Sequence, residues 1–174
     1  MFVNNWYTML KSAAMYSDPT IVRPNGATAT TSSYDNFQSI QIGYNGTNAN
    51  GQTRLANVLK DISATASLKN GGVAFGNGTS EPSMDDYTLS GSLVTAFTAS
   101  ALMSKIGNTI TVTYTLTATA DITISEIGLF SLYYSGNRHP FLVERTLLDE
   151  PVTIPAGGVG QVVYTITFNL PTAT

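Results

Sequence analysis

Residues 109–119 read Thr-Ile-Thr-Val-Thr-Tyr-Thr-Leu-Thr-Ala-Thr, an apolar side chain alternating with threonine without a break. Successive side chains of a strand point to opposite faces. Ile110, Val112, Tyr114, Leu116 and Ala118 therefore make one buried stripe, and the threonines make the other face. Threonine is a strand former whose hydroxyl carries no charge. Such a face can meet water or another protein without desolvating an ion. The period predicts a half-buried strand of an antiparallel sheet, with a second face made for contact. It names no reaction.

The 174 residues suffice for one domain with a small appendage. Hydrophobic residues at 43% support a core, whereas Asp, Glu, Lys and Arg together reach only 11%. That is under half of the roughly 25% of ordinary soluble domains. The net charge of −3 gives nothing that would track a phosphate backbone, which argues against nucleic-acid binding. There are no cysteines, so disulfide frameworks and thiolate metal sites are excluded. The first eleven residues have no basic segment followed by a continuous apolar one. No run approaches the roughly 20 apolar residues that cross a bilayer, so no membrane partner is expected. The chain is expected to be kept in the cytoplasm or to leave by a route other than a Sec signal. With a composition more usual in extracellular β proteins, that fits something assembled inside a cell that works outside it.

Asn4 or Asn5 is placed to cap a short helix through about Met15, with Trp6, Leu10 and Ala13 on one side. The narrow apolar face predicts docking. Residues 16–37 hold two prolines and an Asn25-Gly26 turn, which predicts a loop or an arm ordered against a neighbouring subunit. Trp6, Tyr7, Leu10, Tyr34 and Phe37 are the candidate subunit contacts. Ser39–Tyr44 alternates like a strand, and Leu55, Val58, Leu59 and Ile62 follow the spacing of a short amphipathic helix. From Ala64 onward the signals are of strands, over 66–75, 91–103, 109–119, 122–127, 131–134, 141–146, 152–154 and 162–168. Gly, Asn and Pro turns separate them. The expected fold is mainly β, an antiparallel β-sandwich of jelly-roll or immunoglobulin-like type over 61–174. Residues 1–60 supply the docking helix, the arm and the short amphipathic helix.

Residue types that carry chemistry are sparse. The single histidine, His139, sits beside a turn with no local nucleophile and carboxylate to complete a triad. One histidine and no cysteine leave zinc an almost wholly carboxylate site, which it rarely accepts. Asp85-Asp86 and Asp149-Glu150 point to opposite faces if extended, and no calcium-loop spacing occurs. No catalytic residue, metal site or cofactor is therefore expected. Gly76-Asn77-Gly78-Thr79 lacks the lysine of a phosphate cradle and reads as a tight turn with glycine at positive φ. Glu126 lies alone in an apolar run, where an acid either faces solvent or pairs with a cation, and Arg145 is the candidate for a structural ion pair. Tyr87, Tyr133 and Tyr134 are the aromatics that a carbohydrate-binding face would use.

Several stretches occur together in order. They are Gly72-Val73-Ala74-Phe75-Gly76-Asn77-Gly78-Thr79-Ser80-Glu81-Pro82 with Asp86-Tyr87-Thr88-Leu89, then Ile124-Ser125-Glu126-Ile127-Gly128-Leu129-Phe130, then Leu142-Val143-Glu144-Arg145. Pro151–Gly158 and Val163–Phe168 follow. Over roughly residues 70–170 this resembles a pattern of tailed-bacteriophage virion proteins, in which a Gly-rich turn precedes an I-x-E-x-G-L-F strand. The resemblance implies a non-enzymatic β-sandwich built into a phage particle. The position implied is a capsid-associated decoration or head-fibre subunit, with a neck or tail adaptor as the alternative. A carbohydrate-binding or adhesin module contacting host glycan is the other reading. The implied partners are other virion proteins (major capsid, portal, neck or tail) and further copies of the chain, assembled in the host cytoplasm into the virion.

Overall fold

A computed structural model describes residues 1–8, 20–30, 72–135 and 137–167. The expected strand at Ser39–Tyr44, the amphipathic helix at 55–62, and Leu10, Tyr34 and Phe37 lie outside them. The described chain is mainly β. It has strands β1 (Thr20–Val22), β2 (Thr28–Thr30), β3 (Gly72–Gly76), β4 (Phe97–Ile106), β5 (Thr109–Ala118), β6 (Ile122–Ser135), β7 (Asn137–Ile154) and β8 (Val159–Thr167), after one helical turn over 4–8. All pairings are antiparallel, in three sheets: β1-β2, β3-β6-β7 and β4-β5-β8.

The alternating segment is β5, in the middle of its sheet. Val112, Tyr114, Leu116 and Ala118 are buried as the period requires, and Ile110 is half-buried at the end of the stripe. They pack with Val162 and Tyr164 of β8 against Val73, Phe75, Ile124, Ile127, Leu129, Phe141 and Val143 of the β3-β6-β7 sheet. Phe75 centres the contact, with Phe97 and Tyr114 edge-on to it at 5.7 and 5.6 Å.

The β3-β6-β7 sheet is covered on its other side too, where Val3, Ala74, Leu89, Phe130 and Leu142 form a second cluster. This corrects the alternation expected over 141–146: Phe141 to Arg145 are all buried, because both faces of the strand are covered. The separate strands expected at 141–146 and 152–154 are parts of one strand, β7. It lies at the edge of its described sheet, where Pro140 and Pro151 remove few ladder bonds.

Other expectations are corrected locally. Residues 20–30 form a hairpin, not a loop, and Ile21 is wholly buried in the main core. Asn5 does not cap the helical turn; its amide donates to the Val22 carbonyl at 2.8 Å and accepts the Val22 N–H at 2.9 Å. The strand expected from Gly91 begins only at Phe97, because residues 90–91 turn their N–H groups onto a carboxylate.

Candidate functional site

The densest polar cluster among the described residues lies on the outer side of the β3-β6-β7 sheet, beneath the connection from β3 to β4. Glu126 sits on β6 opposite Gly76 and Leu147, and Arg145 on β7 opposite Gly128. Strand alternation sends both side chains to the side away from Ile127 and Leu129. The structure brings the two together: Arg145 Nε donates to Glu126 Oε2 at 2.7 Å, with both side chains buried.

A guanidinium has five N–H donors in a fixed fork, and here each has an acceptor. Nη1 donates to Asp86 Oδ2 at 2.7 Å and to the Glu81 carbonyl at 3.3 Å. Nη2 donates to the Ser80 carbonyl at 2.6 Å and to Ser90 Oγ at 2.7 Å. The Ser90 hydroxyl in turn donates a hydrogen bond to Glu126 Oε2 at 3.2 Å, and the Ser90 N–H donates to the same oxygen at 3.1 Å. Glu126 Oε1 accepts the N–H groups of Gly78 at 3.0 Å and Gly91 at 2.8 Å. One carboxylate and one guanidinium thus hold both ends and the middle of the 77–91 connection.

Burial pushes the Glu126 carboxyl up, but the N–H bonds from Gly91 and Ser90 and the charge and hydrogen bond of Arg145 outweigh it, leaving it below the usual range. Burial pulls Arg145 down, and its bonds and charge pairing with Asp86 and Glu126 outweigh that, leaving it above its usual value. Both groups are therefore held charged. The desolvation that makes buried charges costly is offset by complete hydrogen bonding.

Gly78 corrects a reading of the turn. It is not among the glycines with positive φ. What position 78 needs is space: a Cβ there would stand 1.9 Å from Ser90 Oγ, 2.3 Å from Glu126 Oε1 and 2.4 Å from the Gly91 nitrogen. The glycine lets two backbone segments close over the carboxylate.

A second polar group lies on the opposite face of β7. Glu144 accepts from the Tyr164 hydroxyl, the Met1 amino group and, at 2.6 Å, the Thr146 hydroxyl. Burial and the neighbouring Glu144 charge push the Tyr164 phenol well above its ordinary value. Through backbone bonds, Val3 N–H to the Val143 carbonyl at 3.1 Å and Arg145 N–H to the Met1 carbonyl at 3.0 Å, the first residues run along β7.

Of the candidate contacts, Trp6 is only 8% exposed and stacks on Phe2 at 5.3 Å, whereas Tyr7 is 50% exposed. Tyr7 is thus the described one with area left for a partner. Tyr87 is 40% exposed, with its ring against the hairpin turn at Gly26. The side chains of Tyr133, Tyr134 and His139 lie outside the description. Sequence reasoning missed Asp86 and Ser90. Their one signal is position, since both lie within the short stretch that follows the Gly-rich turn. Among the described residues no three His, Cys, Asp or Glu side chains are arranged to hold a metal ion, and no helix is long and apolar enough to cross a membrane.

No protein family, curated protein or solved structure matches the chain.

Proposed function

We propose that this chain is a non-enzymatic structural component of a tailed-bacteriophage virion, a capsid-associated decoration or head-fibre subunit. The observation that carries the reading is the use made of the residues in the phage-like pattern. Gly78, Asp86, Glu126 and Arg145, from three separate stretches of that pattern, are joined in one cluster, in which Gly78, Glu126 and Arg145 are buried and Asp86 is half-buried. Their polar atoms bind one another and the backbone, which is the economy of a scaffold whose motif secures a fold. The shared core of the β3-β6-β7 and β4-β5-β8 sheets supports reading them as the two layers of a β-sandwich. In this reading the chain assembles through faces of the sandwich and its N-terminal residues, with other virion proteins and with further copies as partners.

The test is addition of the purified protein to particles produced without it, followed by sedimentation of heads, tails and complete virions separately. Saturable retention on heads is expected. Retention on tails alone would move the chain to the neck or tail, and no retention on any fraction would overturn the virion reading.

A further inference from the structure

The outer face of the β4-β5-β8 sheet differs in kind from the cluster just described. The pairing register places five rows of side chains on it: Ile106-Thr109-Thr167, Ser104-Thr111-Thr165, Leu102-Thr113-Val163, Ser100-Thr115-Gln161 and Thr98-Thr117-Val159. Not one of these positions is ionisable. Four are large apolar groups left in the open: Ile106 at 80% exposure, Leu102 at 76%, Val159 at 66% and Val163 at 59%. They mark out an oblique stripe from the Ile106 corner to the Val159 corner, interrupted by Ser104, Thr113 and Gln161, with hydroxyls on both sides. The threonine methyl groups between them leave the face without a charge from edge to edge, and a broad uncharged face that carries four exposed large apolar groups marks an interaction surface.

We infer that this face binds the same face of a second copy of the chain. Three features of the face select that occupant. A hydroxyl is both donor and acceptor, so a threonine can hydrogen-bond to its own counterpart, which a carboxylate or an ammonium cannot do. A twofold axis along the stripe sets apolar groups on apolar groups and hydroxyls on hydroxyls, as an isologous contact requires. The chain carries a net charge of −3, so identical copies repel one another, and this face adds nothing to the repulsion. A partner with a strongly basic or acidic surface would find no counter-charge here.

The size of the face sets the strength. Ten residues at about 3.3 Å by three strands at about 4.8 Å give a footprint of roughly 450 Å² per copy. Specific interfaces bury about 800 Å² per partner. The pairing therefore belongs at the weak end, reversible on dilution and secured in an assembly by repetition. The inference rests on the proposed role as an assembling subunit and names the surface through which copies meet.

The test is sedimentation equilibrium of the full chain over a wide concentration range. The wild type should pass from the mass of one chain toward twice that mass. Thr113→Lys sets two ammonium groups opposite each other at the centre and should weaken association at least tenfold, as should Leu102→Lys, whose highly exposed position tolerates lysine in the monomer. Thr153→Lys adds the same charge at an exposed position of the other sheet and should change nothing. A wild type that stays monomeric at its solubility limit overturns the inference, as does association that Leu102→Lys leaves intact or that Thr153→Lys weakens equally. Dimers that fail to add to particles would instead count against the virion role alone.

Discussion

Glu126 and Arg145 meet at 2.7 Å from adjacent strands, and the pair is the post around which residues 77–91 are wound. All five guanidinium donors are in use, so the pair cannot be varied conservatively. Arg145→Lys keeps the charge but has three donors for five acceptors, and at about 1.5–3 kcal/mol per bond to a charged group the loss is about 3 kcal/mol or more. Arg145→Met strands Glu126 and Asp86 and should cost about 3–5 kcal/mol. Urea unfolding measures both. A loss under about 1 kcal/mol for Arg145→Lys would mean that the fork geometry is immaterial.

Two glycines separate space from conformation. Gly107 has φ +57° in the β4–β5 turn with nothing within 4 Å of a Cβ, so Gly107→Ala meets only the left-handed backbone cost, about 1–2 kcal/mol. Gly78→Ala drives a methyl group into Ser90, Glu126 and the Gly91 backbone and must open the cluster. It should be the more destabilising by about 2 kcal/mol or more. The reverse order in thermal melts would refute the close-packing account of position 78.

What the sequence made legible follows the same division. Strict alternation identified β5, because one face is packed and the other open, and a lone acid in an apolar run identified Glu126 with its cation. The same rule failed over Phe141–Arg145, where a second layer of Val3 and Leu89 hides the face that should have been wet. Asp86 and Ser90 reach Arg145 from an aperiodic connection, and periodicity says nothing about such residues. Gly78 was ambiguous in principle, since glycine signals either positive φ or close approach. Ile21 was hidden because one buried side chain in a Pro- and Thr-rich segment leaves no pattern.

Acid should undo the cluster. Glu126 has its folded pKa held below the unfolded value, so its contribution is full above the unfolded range, about 4.3. The contribution is lost as pH falls through the depressed folded value. Stability should therefore be level from neutrality to about pH 5 and fall below about pH 4. In Glu126→Gln, which starts less stable, that fall should be shallower. An acid limb equally steep in the wild type and in Glu126→Gln would assign it to other carboxylates.

The single tryptophan reports whether the N-terminal residues are part of the fold or wait for a partner. Trp6 is buried in this chain's own core with Val73 and Ile21 in the same cluster, and Phe2 stacked on it at 5.3 Å. Asn5 ties the next element in through its two bonds to Val22. Emission from the dilute protein should therefore be blue-shifted and resistant to iodide, and should become accessible only in the main unfolding transition. Asn5→Ala removes both Val22 bonds, each worth about 0.5–1.5 kcal/mol. It should raise iodide quenching at native conditions before it changes the midpoint of the core, because a terminal segment opens locally at lower free energy than the sheets. Solvent-like emission in the dilute wild type, becoming buried only as concentration rises, would instead place Trp6 at a contact between copies.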